Sequence, residues 1–432
     1  MKSLCALFII FLTGLNVQSQ TVTISGKITD QEGKPVPFVS IYLKNTSNGT
    51  SANIDGDYQL KIPTGNHTLV FKAIGYRPEN KEINVKADQQ FHVTLTQAVY
   101  ELQDVVIRSG GEDPAYAIIR SAIKKRRNYL REVNSYTTDV YIKGLQKLVK
   151  APKKFLGTDI DKAGKQMGLD SNRSGIIYLS ESESKLSFIQ PDNFREEMIS
   201  SKVSGNNQTF SFNRASEIKV NLYENLQNWG SLSNRPFISP ISDNALSYYT
   251  YKLVGTTVEN GEFINKIEVL PKRSTDPVFR GHIYILEDSW RLHSIDLYMT
   301  KEANLNFIDT LKINQQFFPI NDQVWMPSSV KFDFKGDILG FRFTGYYLAI
   351  YRNYNLSPPL NPKDFAEFLR ITKEVNTKDS VYWNSARPIP LTDEESNDYK
   401  KKEILAAKRE SKLGVFETCH RFKTQSTIHI FC

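Results

Sequence analysis

The sequence predicts a mainly β protein: a small N-terminal β-sandwich, a linking amphipathic helix, then a large curved antiparallel sheet. Two observations lead there. Apolar residues alternate with polar ones through residues 22–95 and again from Tyr248 to Ile350, the period-two pattern of half-buried strands. Between the alternating runs stand Gly, Asn and Asp pairs that tolerate positive φ, as tight turns require.

Taken in order, residues 1–19 read as an export signal. Lys2 supplies the positive start, Leu4 to Leu15 the apolar stretch, and Val17-Gln18-Ser19 the small-residue site ahead of Gln20. The apolar stretch is too short for a bilayer core, which needs roughly 20 residues. In residues 20–108, Val22, Ile24 and Ile28 share a face, as do Val39, Ile41 and Leu43, then Tyr58, Leu60 and Ile62, and finally Phe91, Val93 and Leu95. Glu32-Gly33, Asn48-Gly49, Asp55-Gly56 and Gly65-Asn66 separate the runs, and short strands at such spacing predict a sandwich.

Residues 109–135 form the linker helix. Asp113 is its expected N-cap and Pro114 its first helical residue. Ala115, Ile118, Ile119, Ala122 and Ile123 share one face, and Lys124-Lys-Arg-Arg127 closes the last turn, where cations suit the helix dipole. The pattern is that of a docking helix with a solvated basic end.

The β-rich domain spans 136–357. Pro152 to Arg173 reads as a mobile polar loop, whereas Ile176–Ile189 and Thr209–Phe212 read as strands. Trp229, Phe237 and Ile238 stand among Asn, Ser and Pro and are expected to pack back on the sheet. Beyond Tyr248 a meander is expected over Tyr248–Gly255, Phe263–Leu270, Gly281–Glu287, Leu292–Thr300, Asn304–Phe318, Val324–Phe334 and Phe341–Ile350. Asn260-Gly261 is its strongest hairpin signal, with Asn321-Asp322 and Gly336-Asp337 weaker. Residues 358–432 hold a linker, a helix opened by the capping box Thr392-Asp-Glu-Glu395 and running to about Arg409, and a divergent tail.

Composition narrows the functional classes. Formal charge is +8, from 55 Lys and Arg against 47 Asp and Glu, and it is scattered rather than gathered in a stripe, which argues against nucleic acid as a partner. After the signal only Cys419 and Cys432 remain, both near the C-terminus, so disulfides do not hold the fold together. The histidines (His67, His92, His282, His293, His420 and His429) show no metal-ligand spacing, and His282 with His293 reads as a surface pair on neighbouring strands. Asp55-Gly-Asp57 reads as a turn rather than a calcium loop. Glu181, Glu183 and Glu196-Glu197 read as solvated strand edges, and no G-x-S-x-G or phosphate-binding glycine loop occurs. No cofactor and no catalytic residue is expected.

Gly26, the Asp30…Gly33 turn, Pro35, Pro37, Asp55-Gly56-Asp57-Tyr58, Ile74-Gly75-Tyr76 and Leu102-Gln-Asp-Val-Val-Ile107 resemble the carboxypeptidase-regulatory-like domain, a transthyretin-like sandwich. Asp113-Pro-Ala-Tyr-Ala-Ile-Ile119, Glu196-Glu-Met-Ile-Ser-Ser-Lys-Val203, Ser239-Pro-Ile-Ser-Asp-Asn-Ala245, Tyr284-Ile-Leu-Glu-Asp-Ser-Trp290, Asp309-Thr-Leu-Lys-Ile-Asn-Gln-Gln316 and Val324-Trp-Met-Pro-Ser-Ser329 are similar to a family of uncharacterised bacterial envelope proteins. In that family an outer-membrane barrel normally follows. Too few residues remain here for its eight strands, so the expectation is either a natural short form or an interrupted reading frame with Phe416–Cys432 as foreign tail.

The resemblance implies an exported periplasmic protein associated with the outer membrane, non-catalytic, serving as a docking or scaffold region for an envelope or outer-membrane partner. The alternative is a carrier of lipid or another apolar ligand, with Ile295, Leu297, Phe332 and Phe343 as the candidate ligand face on the concave side of the sheet.

Overall fold

The computed structural model describes residues 21–101, 111–205, 213–321 and 323–408. The export signal, the strand expected over Leu102–Ile107, the stranded reading of Thr209–Phe212 and the divergent tail lie outside these residues.

The sandwich comprises β1 (Thr21–Asp30), β2 (Ser40–Leu43), β3 (Gly49–Ser51), β4 (Asp57–Pro63), β5 (Gly65–Lys72), β6 (Glu79–Val85), β7 (Gln89–Gln90) and β8 (Val93–Leu95). One sheet sets β1 between β4 and the β7–β8 edge, and the other runs β3-β2-β5-β6. Alternation fills the space between them: Ile24, Ile28, Ile41, Ile62, Phe71 and Leu95 are fully buried, while Gln59 and Lys61 stay outside. Gly26 lets backbone approach backbone, because a Cβ there would lie 2.0 Å from the Phe91 carbonyl oxygen.

Helix α1 (Ala115–Leu130) follows. The Asp113 carboxylate accepts from Ala115 N–H at 2.9 Å and from Leu253 N–H at 3.0 Å, so the cap also docks the helix on the sheet. Ala115, Ile118, Ile119 and Ala122 enter the main core as the periodicity requires. The basic end is not wholly solvated: Arg126 is buried, pairing with Asp243 at 2.8 Å and donating to the Tyr223 carbonyl.

Next come β9 (Ser135–Lys150), β10 (Lys154–Phe155), β11 (Thr158–Asp159), α2 (Ile160–Met167), β12 (Gly175–Ile189) and β13 (Asn193–Gly205). The region expected to be a mobile loop is therefore a two-stranded ribbon and a short helix. Asp159 caps that helix on Asp161 N–H, and Gly168 ends it at φ 84°. The cover segment, residues 213–248, carries β14 (Leu226–Gln227), β15 (Phe237–Ile238) and α3 (Ala245–Tyr248).

The meander forms as expected: β16 (Tyr249–Glu259), β17 (Glu262–Pro271), β18 (Arg280–Leu286), β19 (Leu292–Thr300), β20 (Thr310–Pro319), β21 (Trp325–Ile338) and β22 (Phe341–Asn355). Asn260 (φ 50°) and Gly261 (φ 87°) make the first hairpin turn. The last hairpin turns at Leu339-Gly340 rather than Gly336-Asp337, since Gly336 pairs with Phe343 inside the ladder. β20 begins six residues later than expected because Asn304 and Phe307 both adopt positive φ. The chain closes with β23 (Leu369–Ile371), α4 (Ser380–Ala386) and helical residues 393–408.

These strands build one 11-stranded sheet in the order β16-β17-β18-β19-β20-β21-β22-β9-β12-β13-β23. Its neighbours are antiparallel except β13 with β23. Bulges at Glu183/Ser184, Leu253/Gly255, Tyr284/Ile285 and Gln316/Phe317 increase the local twist, as a sheet this wide needs. One face packs on α1 and the cover segment. The other carries the sandwich and residues 380–408.

Candidate functional site

The expected ligand face is present but closed. Ile295, Leu297 and Phe332 are fully buried and Phe343 is half-buried against Phe334. Trp229 from the cover segment sets its ring 5.4 Å from Phe332, while Leu232, Phe237 and Ile241 complete the same core. Trp229, Phe237 and Ile238 do pack back on the sheet, and the core they complete closes over Ile295, Leu297 and Phe332, while Phe343 stays half-buried against Phe334. The reading of these side chains as an open face is corrected accordingly: an apolar stripe this long is stable only when covered.

Further along the same face the cover leaves a cavity of about 230 Å³. Its walls come from the end of α1, from β12 and β13, from the cover segment, and from β20, β21 and β22. Phe188, Phe194, Tyr223, Phe317, Trp325 and Tyr351 give it an aromatic lining. The charged groups in the wall are already neutralised. Arg291 forms a two-point pair with Glu132 at 2.7 and 2.6 Å and lies 4.1 Å over the Tyr129 ring. Lys219 pairs with Glu224 at 3.0 Å and lies 4.2 Å over the Phe194 ring.

One wall residue is polar at an inward position. Leu311, Ile313, Gln315 and Phe317 alternate toward the core, and Gln315 breaks the apolar run. Its Nε2 donates to the Val220 carbonyl at 3.0 Å, which fixes the amide orientation, and its buried Oε1 has no hydrogen-bond partner among the described residues. Apolar alternation interrupted by a glutamine is the sequence signal that would have pointed here rather than to Phe332.

A second group of side chains joins the sandwich to the sheet. Lys72 of β5 lies 2.6 Å from His293 Nε2 and 3.4 Å from Glu259, and His293 Nε2 lies 3.0 Å from the other Glu259 oxygen. Lys72 also donates to the Phe317 carbonyl at 3.3 Å and stands 5.3 Å over the Trp325 ring. A pocket of about 210 Å³ adjoins this group, and Trp325 lines both it and the larger cavity. Burial works against the Glu259 carboxylate, but Lys72 and His293 outweigh it and hold its pKa down to about 2. Burial pushes Lys72 and His293 below their ordinary values; the Lys72 charge lowers His293 further, whereas Glu259 favours the charged form of each. His293 is thus not a surface residue paired with His282; it is buried at the domain interface, while His282 stands opposite Asp296.

The glutamates expected at solvated edges are corrected too. Glu181 is fully buried between Arg387 (2.6 and 2.8 Å) and the Tyr141 and Tyr399 hydroxyls. Arg387, Lys143 and Tyr141 overcome its burial and lower its pKa. Glu196 is buried as a cap, accepting from Ala215 and Ser216 N–H of the cover segment, and Glu183 pairs with Arg352 at 3.0 Å. Polar strand positions look solvated in sequence when their partners lie far along the chain, as Arg352 (169 residues from Glu183) and Arg387 (206 residues from Glu181) do.

Residues 385–390 form a strap between sandwich and sheet. Their carbonyls accept from Lys61 (2.7 Å), Gln59 (2.8 Å), Thr50 (2.6 Å) and Asn53 (3.4 Å). The capping box then forms, Glu395 accepting from Thr392 N–H at 2.8 Å and Thr392 Oγ1 accepting from Glu395 N–H at 3.2 Å. The same Glu395 pairs with buried Lys143 of β9 at 2.5 Å. Among the described residues no group of three or more His, Cys, Asp or Glu is placed to hold a metal ion, and no helix is long and apolar enough to cross a membrane.

The pattern of the family of unknown function DUF5686 matches residues 118–354, which takes in α1, the cover segment and the sheet through β22. The chain belongs to that family. A CarboxypepD_reg-like domain matches residues 24–107, the sandwich. A stretch of 108 residues of the chain is also similar to part of the TonB-dependent receptor P39 of Formosa agariphila, 33% identical and covering 25% of this chain and 10% of the receptor. The TonB-dependent receptor SusC of Bacteroides thetaiotaomicron is 33% identical over 103 residues, covering 24% of this chain and 10% of the receptor. The chain therefore spans about a tenth of the length of these receptors. Among solved structures, a LolA superfamily protein from Nitrosomonas europaea aligns at 11% identity with a TM-score of 0.22, over 58% of this chain and 97% of that one. This DUF5686 chain is thus a β-rich protein that carries a CarboxypepD_reg-like domain and is similar over about a quarter of its length to a segment of TonB-dependent receptors.

Proposed function

We propose that the protein is a non-catalytic docking platform, exported to the periplasm and associated with the outer membrane, where it presents its sandwich to an envelope or outer-membrane protein partner. The observation that supports this most is the strap. The sandwich does not dangle from a linker: Thr50, Asn53, Gln59 and Lys61 bind residues 385–390, and Lys72 enters a buried ionic group with Glu259 and His293. A domain fixed this firmly transmits position, which a spacer or adaptor needs. Photo-crosslinkers at the exposed sandwich positions Ile54 and Val99 should capture one outer-membrane protein from intact cells. Recovery of the whole chain, uncrosslinked, in the soluble periplasm would overturn the proposal.

The cavity of about 230 Å³ favours a second reading, a carrier of a small apolar ligand. Its site is the chamber around Gln315, Phe317 and Trp325 rather than the buried Ile295, Leu297 and Phe332 or the half-buried Phe343.

A further inference from the structure

We infer that one end of the 11-stranded sheet rests on an anionic phospholipid surface, with Leu156, Phe307 and Leu339 inserted among the acyl chains. Lysines beside them meet the headgroups. The contact is separate from the sandwich and its protein partner, and it stands whether or not that partner exists. Three observations carry it.

First, these three are the most exposed large apolar side chains among the described residues, at 89%, 77% and 74%. They stand on three strand connections at the same end of the sheet. Leu339 is in the β21–β22 turn, which lies beside the end of β9 because Arg342 pairs with Lys150. Leu156 adjoins Phe155, whose ring is 5.1 Å from that of Phe341. Phe307 belongs to the β19–β20 connection, and a Cβ on Gly336 of β21 would lie 2.7 Å from its carbonyl oxygen. With neighbouring strands about 4.8 Å apart, the connections from β20 to β9 span roughly 15 Å.

Second, all three have positive φ (47°, 61° and 52°), a conformation that costs a bulky residue more than it costs glycine or asparagine. Asn304, on the same connection as Phe307, is the residue type expected at such a position. Phe38 and Trp290 share the conformation but pack against buried clusters. Leu156, Phe307 and Leu339 carry the conformational cost and the cost of exposure together, and an apolar layer relieves the second.

Third, the surrounding charge fits an anionic surface. Within residues 150–159, 301–309 and 335–342, six Lys and Arg stand against four Asp and Glu. Two of those carboxylates are already matched, Asp337 by Arg342 at 3.1 Å and Glu302 by Arg280 at 3.6 Å. Lys150, Lys153, Lys154, Lys301 and Lys335 are exposed and form no ion pair among the described residues. A protein partner would need three separate pockets for the tips, whereas a fluid bilayer accepts them at any spacing. The sandwich docks at the far ends of β20, β21 and β22, through Phe318, Ser328, Ser329 and Asn353, so this contact holds it away from the lipid.

The test mixes the full chain with vesicles of two parts phosphatidylcholine to one part phosphatidylglycerol and reads binding by co-flotation. Phosphatidylcholine alone should bind about tenfold more weakly. Leu156→Asn, Phe307→Asn and Leu339→Asn together should weaken binding at least about a hundredfold, each tip contributing roughly tenfold. Asparagine suits positive φ, so this variant should melt no lower than the parent. Leu339→Trp should add emission that moves to shorter wavelength on vesicles and is quenched by brominated acyl chains. Val258→Trp, exposed on β16 at the opposite end, should show neither effect. If the triple variant does not fold, quenching at Leu339→Trp decides. Unchanged binding by the triple variant, absence of quenching at Leu339→Trp, or no binding to either vesicle would overturn the inference. So would a parent chain that dimerises in sedimentation and ignores vesicles while the triple variant stays monomeric, since a second copy would then cover the tips. None of these outcomes alters the crosslinking expected of the sandwich.

Discussion

Replacing Glu259 by Gln removes one charge from the buried group that joins the sandwich to the sheet. Lys72 Nζ and the Glu259 carboxylate stand 3.4 Å apart, a separation at which unit charges attract by about 5 kcal/mol at an effective dielectric near 20. The amide keeps a hydrogen bond toward His293, and Lys72 can shed its proton, since burial already lowers its pKa. Both effects trim the loss, leaving an expected destabilisation of about 3–5 kcal/mol, the usual result of stranding one partner of a buried pair. Urea unfolding followed by tryptophan fluorescence measures it, helped by Trp325 lying 5.3 Å from Lys72 Nζ. Amide exchange should rise in β5 and β16 and stay unchanged in β12, which lies across the sheet. The companion variant Lys72→Met/Glu259→Gln removes both charges and should recover stability to within about 1 kcal/mol of the parent. A Glu259→Gln protein within about 0.5 kcal/mol of the parent, or a double variant no better than the single, would refute the reasoning.

Stability should decline as pH falls below about 6.5, because the unfolded chain then protonates His293 while the folded chain, with its lowered pKa, resists; the slope is at most about 1.4 kcal/mol per pH unit. Glu259 adds to the decline lower down, as pH falls from its ordinary 4.5 toward its folded value of about 2, and His293→Gln should flatten the upper part of the curve in chemical denaturation across pH 5–7. Arg387→Ala strands fully buried Glu181, so a loss of about 3–5 kcal/mol is expected, with faster amide exchange confined to residues 380–408 and the strap-facing sandwich strands. Uniform exchange throughout that variant would contradict the strap. Trp229→Ala should cost about 3–5 kcal/mol and expose Phe332 to an apolar dye, and unchanged dye binding would count against the cover segment as the seal.

The parts legible in the sequence are those whose partners are local. The Asn260-Gly261 turn, the alternation of Ile295, Leu297 and Met299, the Asp113 cap and the Thr392/Glu395 capping box all satisfy requirements within a few residues, and the structure places each as expected. The polar strand Ser180-Glu-Ser-Glu-Ser184 is the opposite case. It reads as solvated, yet Asn213, Arg352 and Arg387 bury it from afar. Periodicity identified the apolar face of the sheet; it did not reveal which stretch the cover closes and which it leaves open. Ile295 and Val330 look alike in sequence, and only the path of residues 213–248 separates core from cavity wall. Lys72, Glu259 and His293 lie in two different domains, and no spacing rule connects them.

The neighbours of β9 set an order of events. One of them, β12, begins at Gly175, whereas the other, β22, begins at Phe341. A chain made from its N-terminus completes the β9–β12 pair early and then waits roughly 8–33 s, at about 5–20 residues per second, before the second neighbour exists. Throughout that interval a long strand offers a row of unshared amides and carbonyls, a template for pairing with the wrong chain. A nascent molecule of this protein therefore depends on being shielded until its final long strand arrives, and any break before Asn355 makes that vulnerability permanent.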